Sequence, residues 1–522
     1  MIMEGEKTVF ARKASGLIRS ISGRDALIYN IVFMAPMSVF IYGIWASVTF
    51  PGTDLPLTAL LCIPLAVIIG LFYSIYSISM PRSGGDYVWV SRTLHPALGF
   101  MINFFLFLNI LSLVGTEIPW IMDYAVTPYL MMVGNTSLIP LVASAEFKFA
   151  VAMIYYLGIA LIIAFGAKVA MKACLFSFAM ILMGLTVFAV SCLATGPAGF
   201  QSNFNQVSGM NYSEVVQTAI STGWPGLNMQ ATMLGVQFTF INFLGFASSV
   251  YISGEVKDVR RSQLMAIVGS AVVFGLLTWI AYATAYYAMG GDLIGAISYL
   301  AVTGDPSYKL PMLPFITYLF MYVTTNPAVA ALMLLGWSFM PLSAGLTYMF
   351  IGVRLLFAWS FDRVVPTTIS RVDRRFGTPY VALIITVIVA VVYQVLWIYT
   401  NFMGFFSYIT FGWMIMQIIC GISAIIFPIR RKDIFEKSPD IVRRKIGPIP
   451  VLSVLAILTI IISIWMAYAS MGPAFIGQIN YSVFGFTVGV FVLGAIIYSI
   501  SAAYNKHKGL PLELTFKEIP PE

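Results

Sequence analysis

The chain has 522 residues, of which 60% are hydrophobic and only 10% charged, and it carries a net charge of +8. So few charges cannot cover a core of that size in water, which excludes a soluble enzyme and makes lipid the solvent. The positive balance is no nucleic-acid signal, because it divides unequally between two faces of a membrane protein.

Crossing ~30 Å of hydrocarbon takes about 20 apolar residues. Twelve runs meet that length: 26–48, 56–79, 97–122, 147–166, 173–195, 229–252, 263–289, 327–358, 380–399, 402–427, 451–471 and 481–504. The first is too long for a cleavable signal peptide. The run 311–325 is too short to span and reads as an external lid helix within the connection 290–326. If the spans alternate in direction, one set of connections, which includes both ends of the chain, holds 27 of the 29 Lys and Arg residues. The opposite set holds only Lys148 and Lys309, beside seven acids. Basic connections stay in the cytoplasm, so both termini are expected there, with the plasma membrane as the expected location. The triplets opening at Asn135, Asn211 and Asn480 all fall on the opposite side, where glycosylation is open.

The layout predicts an all-α polytopic protein. Residues 1–24 form an N-terminal cytoplasmic segment, and 25–195 a first set of five helices. A polar extracellular connection, 196–228, leads to a second set of five at 229–427. A cytoplasmic loop at 428–450, two added helices at 451–504 and a tail at 505–522 complete the chain. Each set opens on a helix with a breaker near its middle, Pro36 in the first and Gly245 in the second. Breakers at matching places in two halves point to a transporter with its site at the breaks. Proline removes an N–H and clashes with the preceding turn, and freed backbone groups persist in lipid only where they face a cavity or other protein. The predicted substrate site is therefore Phe33, Met34, Ala35, Pro36, Met37 and Ser38 with Phe240, Ile241, Asn242, Phe243, Gly245, Phe246, Ala247 and Ser248. Glycine lets the backbone approach a ligand closely, and the phenylalanines offer aromatic walls.

Ionisable residues inside spans cost about 2.5–3.5 kcal/mol at the bilayer centre on insertion scales. Glu117 falls about 20 residues into the third run and is expected near the outer leaflet, reaching water beside Asp123 or serving as a proton-coupling or gate residue. Lys172 reads as a snorkelling residue and a weaker coupling candidate. Ser343 and Thr347 are candidate sodium ligands in the eighth run. Both histidines, His95 and His507, lie in connections, no HExxH pattern occurs, and no cofactor or other metal is expected.

The basic connections carry Pro81-Arg82-Ser83-Gly84-Gly85-Asp86-Tyr87 after the second run and Gly254-Glu255-Val256-Lys257-Asp258-Val259-Arg260-Arg261 after the sixth. After the eighth come Arg354, Ala358, Asp362 and Pro366, then Gly377-Thr378-Pro379. Physically these are tight elbows in which acids and arginines can pair between neighbouring connections. Together they resemble the amino acid–polyamine–organocation (APC) permeases. The resemblance implies a five-plus-five inverted repeat of LeuT type and uptake or exchange of amino acids coupled to H+, Na+ or a counter-substrate. Many members carry an aromatic four residues before the second breaker and an acid two after it; here Ile241 and Ala247 stand there. With no acid near the breaks, a neutral amino acid is the expected substrate, ahead of a polyamine, a purine or another small metabolite. A membrane nutrient sensor would need larger cytoplasmic connections. Monomer and dimer both remain open.

Overall fold

A computed structural model describes residues 16–373, 375–400, 402, 408–471, 481–510 and 512–519. Among these residues, twelve helices are long and apolar enough to cross a bilayer. We number them spans one to twelve: Gly23–Thr49, Leu55–Ser79, Pro96–Met132, Ala145–Ala164, Ala167–Val207, Met229–Glu255, Val259–Met289, Pro327–Phe361, Tyr380–Tyr399, Tyr408–Arg430, Val451–Ser470 and Tyr481–His507. Spans one and six are the most enclosed, with 89% and 78% of their apolar windows buried. Spans four, nine, eleven and twelve instead present Leu157, Ile388, Ile461 and Ile496 outward. That inverted dressing is what lipid contact requires.

Helix starts follow ordinary capping chemistry. The Ser22 hydroxyl accepts from the Asp25 amide while the Asp25 carboxylate accepts from Ser22, a capping box. Asp54, Ser144, Asn228 and Asn326 cap spans two, four, six and eight with a side-chain oxygen that accepts from the first turn.

Several boundaries depart from the sequence reading. Span three runs ten residues past the expected end, through a π-turn at Met122–Val126. Span five starts at Ala167 and continues to Val207, kinked at Gly196 beside Pro197. The connection 196–228 is therefore largely helical, with a further helix at Tyr212–Ser221. Span eight is interrupted between Ser338 and Met340, where Pro341 cannot supply an amide to the preceding turn. The stretch 290–326 holds two helices, Gly291–Thr303 and Ile316–Val323, and the second is almost wholly buried. Asn135 and Asn211 are exposed; Asn480 lies outside the described residues.

Candidate functional site

Span one stops at Phe33 and resumes at Val39. Between them Ala35 adopts φ +48°, ψ +69°, and Pro36–Ser38 form a 3-10 turn. Pro36 disfavours a helical conformation for the residue before it, and the left-handed geometry of Ala35 stores on the order of 1–3 kcal/mol of strain. Span six stops at Phe243, and its second part, Ser248–Glu255, is 3-10 helix. Gly245 sits in that gap against the Phe33 ring. A Cβ there would lie 2.9 Å from Phe33 Cγ and 3.0 Å from Cε1, with Cδ1 closer still. The glycine is what lets the two breaks touch.

A small cavity lies between the breaks. Phe33, Met34, Ala35 and Ser38 line it from span one, and Ile241, Asn242 and Leu244 from span six. Tyr42, Trp120, Tyr348 and Trp413 supply aromatic walls, Leu113 and Ile409 apolar ones, and Glu117 the single acid among the described residues. Free space is about 20 Å³, room for roughly one water.

Two polar atoms in this lining have no partner among the described residues. Glu117 is 3% exposed and its Oε2 is buried without a hydrogen bond. Asn242 accepts from the Ser38 hydroxyl at 3.0 Å, while its Nδ2 is buried and unpaired. Buried polar groups are nearly always satisfied, so one orphan acceptor and one orphan donor in one cavity make it the candidate site. The placement of Glu117 corrects one expectation: the breaks do have an acid beside them, and it is buried. The acid was missed there because it comes from span three, and only packing brings that span to the breaks. Asp123 is separately engaged, by Lys148 Nζ at 2.7 Å.

The remaining predicted residues stand behind the cavity or away from it. Phe240 and Phe243 stack on each other at 5.9 Å, and Phe243 meets Phe274 edge-on. The Ser248 hydroxyl donates to Asn30 at 2.9 Å. Pro36, Met37, Gly245, Phe246 and Ala247 shape the breaks without lining the space. Lys172 is exposed. The Ser343 and Thr347 hydroxyls donate to carbonyls of their own helix at 3.1 and 2.8 Å. Tyr29 donates to the Thr347 carbonyl and Tyr348 to the Phe33 carbonyl, each at 3.1 Å. The two hydroxyl oxygens act only as donors in these bonds, and each of the two carbonyls accepts one. The sequence reading missed Tyr42, Trp120, Tyr348 and Trp413; in apolar helices, aromatics carry no signal separating wall from packing.

Below the cavity, the basic face is closed by the three motifs. Arg354 binds Glu255 through two hydrogen bonds of 2.7 and 3.0 Å, both side chains being buried. Arg92 pairs with Asp362 at 2.8 Å. Gly84 and Gly85, at φ +102° and +52°, let the loop after span two press on span six. There the Gly84 amide donates to Tyr251 O and the Tyr251 hydroxyl to Asp86. Burial pushes the Asp86 carboxyl up to about 6, against the opposing effect of hydrogen bonds from Tyr251 and Asn103. The stretch before span one seals the same place: the Ser20 and Ile21 amides both donate to Glu255 O at 3.0 Å. On the other side, Trp120 meets Tyr42 and Trp45 edge-on at 5.7 and 5.4 Å. The cavity is occluded from both faces.

Two broken helices around an occluded, largely aromatic cavity, in a twelve-span frame, are the build of a membrane transporter. Residues 26–497 match the amino acid permease family, and the chain belongs to that family. A methylthioribose transporter of Bacillus subtilis (strain 168) is 22% identical over 485 residues, covering 91% of this chain and 93% of that one.

Proposed function

We propose that the protein is a secondary transporter for a neutral amino acid with an apolar side chain, working by alternating access and coupled to protons. The observation that carries this reading is the orphan pair, Glu117 Oε2 and Asn242 Nδ2, in one aromatic-walled cavity. A zwitterion needs an acceptor for its ammonium and a donor for its carboxylate, and the cavity offers one of each. Trp120, Trp413 and Tyr348 suit an apolar side chain. A polyamine carries more positive charges than one carboxylate can balance. Glu117 is also the proton carrier in this reading, because a carboxylate stripped of partners gains most from being protonated or paired. The basic face is placed in the cytoplasm and the protein in the plasma membrane, on the charge distribution.

A second reading has support from the methylthioribose transporter: sugar hydroxyls can donate to Glu117 and a thioether can pack on the aromatic walls. Uptake into liposomes under imposed H+ or Na+ gradients, with labelled amino acids and methylthioribose, separates the two. Saturable, proton-driven amino acid uptake, lost in Glu117→Gln, is the expected outcome. Uptake of methylthioribose alone refutes the amino acid assignment, and a Glu117→Gln protein with the wild-type pH profile refutes the coupling role.

A further inference from the structure

On the basic face, a cleft opens between the start of span three, the end of span ten, the end of span twelve and the tail turn at Leu512–Thr515. Its volume is about 420 Å³, and its lining includes His95, Arg430, Lys506 and Lys517. No Asp or Glu among the described residues lines it. Arg92 is also present, but its guanidinium is taken by Asp362 and lies 4.8 Å from the Phe516 ring. Arg430, Lys506 and Lys517 are exposed and make no ion pair among the described residues. Like charges converging without acids are an anion site in waiting.

A second feature says which anion. An almost wholly apolar groove of about 440 Å³ runs between spans three, ten and twelve, with Met101, Phe411 and Ile415 on one side. Along span twelve, Val488, Val492, Ala495 and Ser499 line this groove, and Ala502 and Lys506 line the basic cleft. Those six positions step by four and three residues, so they form one stripe down one face of the helix. At 1.5 Å per residue the stretch from Val488 to Ser499 covers about 16 Å, close to half of the ~30 Å hydrocarbon layer. An apolar trough one leaflet deep therefore ends on a cluster of cations that no acid among the described residues neutralises.

We propose that an anionic phospholipid occupies this continuous groove, one acyl chain along span twelve and its headgroup phosphate held by Arg430, Lys506 and Lys517. The site shares no lining residue with the cavity at the breaks and does not depend on what that cavity carries. Free phosphate shares the headgroup chemistry but has no use for the trough.

Thermal stability of the purified, delipidated protein, measured with added phosphatidylglycerol, phosphatidylcholine or inorganic phosphate, tests this. Phosphatidylglycerol should stabilise the wild type far more than phosphatidylcholine. Its apparent affinity should fall roughly thirtyfold in Arg430→Gln/Lys506→Gln, the loss expected for two cations beside an anionic headgroup. Ala495→Trp, which fills the trough, should weaken phosphatidylglycerol and leave any phosphate response unchanged. Equal effects of the two lipids, or an unaffected double variant, would overturn the proposal. Full stabilisation by inorganic phosphate, with Ala495→Trp indistinguishable from wild type, would replace the lipid by a free anion. The substituted cations are exposed, so folding is not at stake.

Discussion

Replacing Gly245 with alanine is the sharpest probe of the broken-helix site. The added carbon would stand 2.9 Å from Phe33 Cγ and closer still to Cδ1, whereas carbon atoms rest at about 3.5–4.0 Å, so the ring must retreat by more than ~1 Å. It has little room: Tyr348 meets it edge-on at 4.6 Å and Trp413 at 6.5 Å. Overpacking of this kind costs about 1–3 kcal/mol. Because Phe33 lines the cavity, the displacement also narrows the space that cargo needs. Unfolding free energy in mixed micelles and uptake in liposomes should be measured for Gly245→Ala, Phe33→Leu and the double variant. The alanine should cost about 1–3 kcal/mol in the wild-type background and much less in the Phe33→Leu background, a coupling between contacting residues. Uptake should fall at least tenfold in the single variant, insertion being intact, and recover in part in the double. An alanine protein that transports normally, or a penalty that ignores the side chain at position 33, would refute the account of why this position is glycine.

Other outcomes follow from the same geometry. Glu255→Ala leaves the Arg354 guanidinium buried and unpaired, which should cost about 3–5 kcal/mol of stability and show as a lowered thermal midpoint. Cysteine labelling from the basic face should rise in that variant; unchanged accessibility would separate the pair from closure. Asp86 is harder to ionise when folded, at about 6 against an ordinary 3.8. The folded state therefore holds the proton more tightly, and stability should decline as pH rises from about 4 to about 6, then level off. Asp86→Asn should remove that slope, as followed by thermal unfolding across the pH range. Trp120→Ala should open the cavity toward the face opposite the basic one and raise labelling of a cysteine placed at Ser38.

Much of the frame was legible because lipid is a simple solvent. Length and apolarity identify a span whatever surrounds it, and the sorting of Lys and Arg fixes how spans alternate. Pro36 and Gly245 were legible for a related reason, since a breaker inside lipid needs a local explanation. Helix ends were harder. The extension of span three beyond residue 122 passes through Asp123 and Pro128, which read as loop. The interruption of span eight at Phe339 was hidden because Pro341 sits in an otherwise unbroken apolar run. Much of the cavity wall comes from Tyr42, Trp120, Tyr348 and Trp413, whose shared location is a matter of how four spans pack. Nothing periodic along the chain encodes that.

The seal around Glu255 carries a kinetic consequence. Its carbonyl receives two amides from the segment ahead of span one, its carboxylate holds Arg354, and the Lys257 amide returns a bond to Ile21. These ties converge on a few consecutive residues, so each one released loosens the same stretch of backbone. In the proposed cycle, opening toward that side has to break these ties, which adds to its barrier and makes the stretch ahead of span one a working part of the bolt.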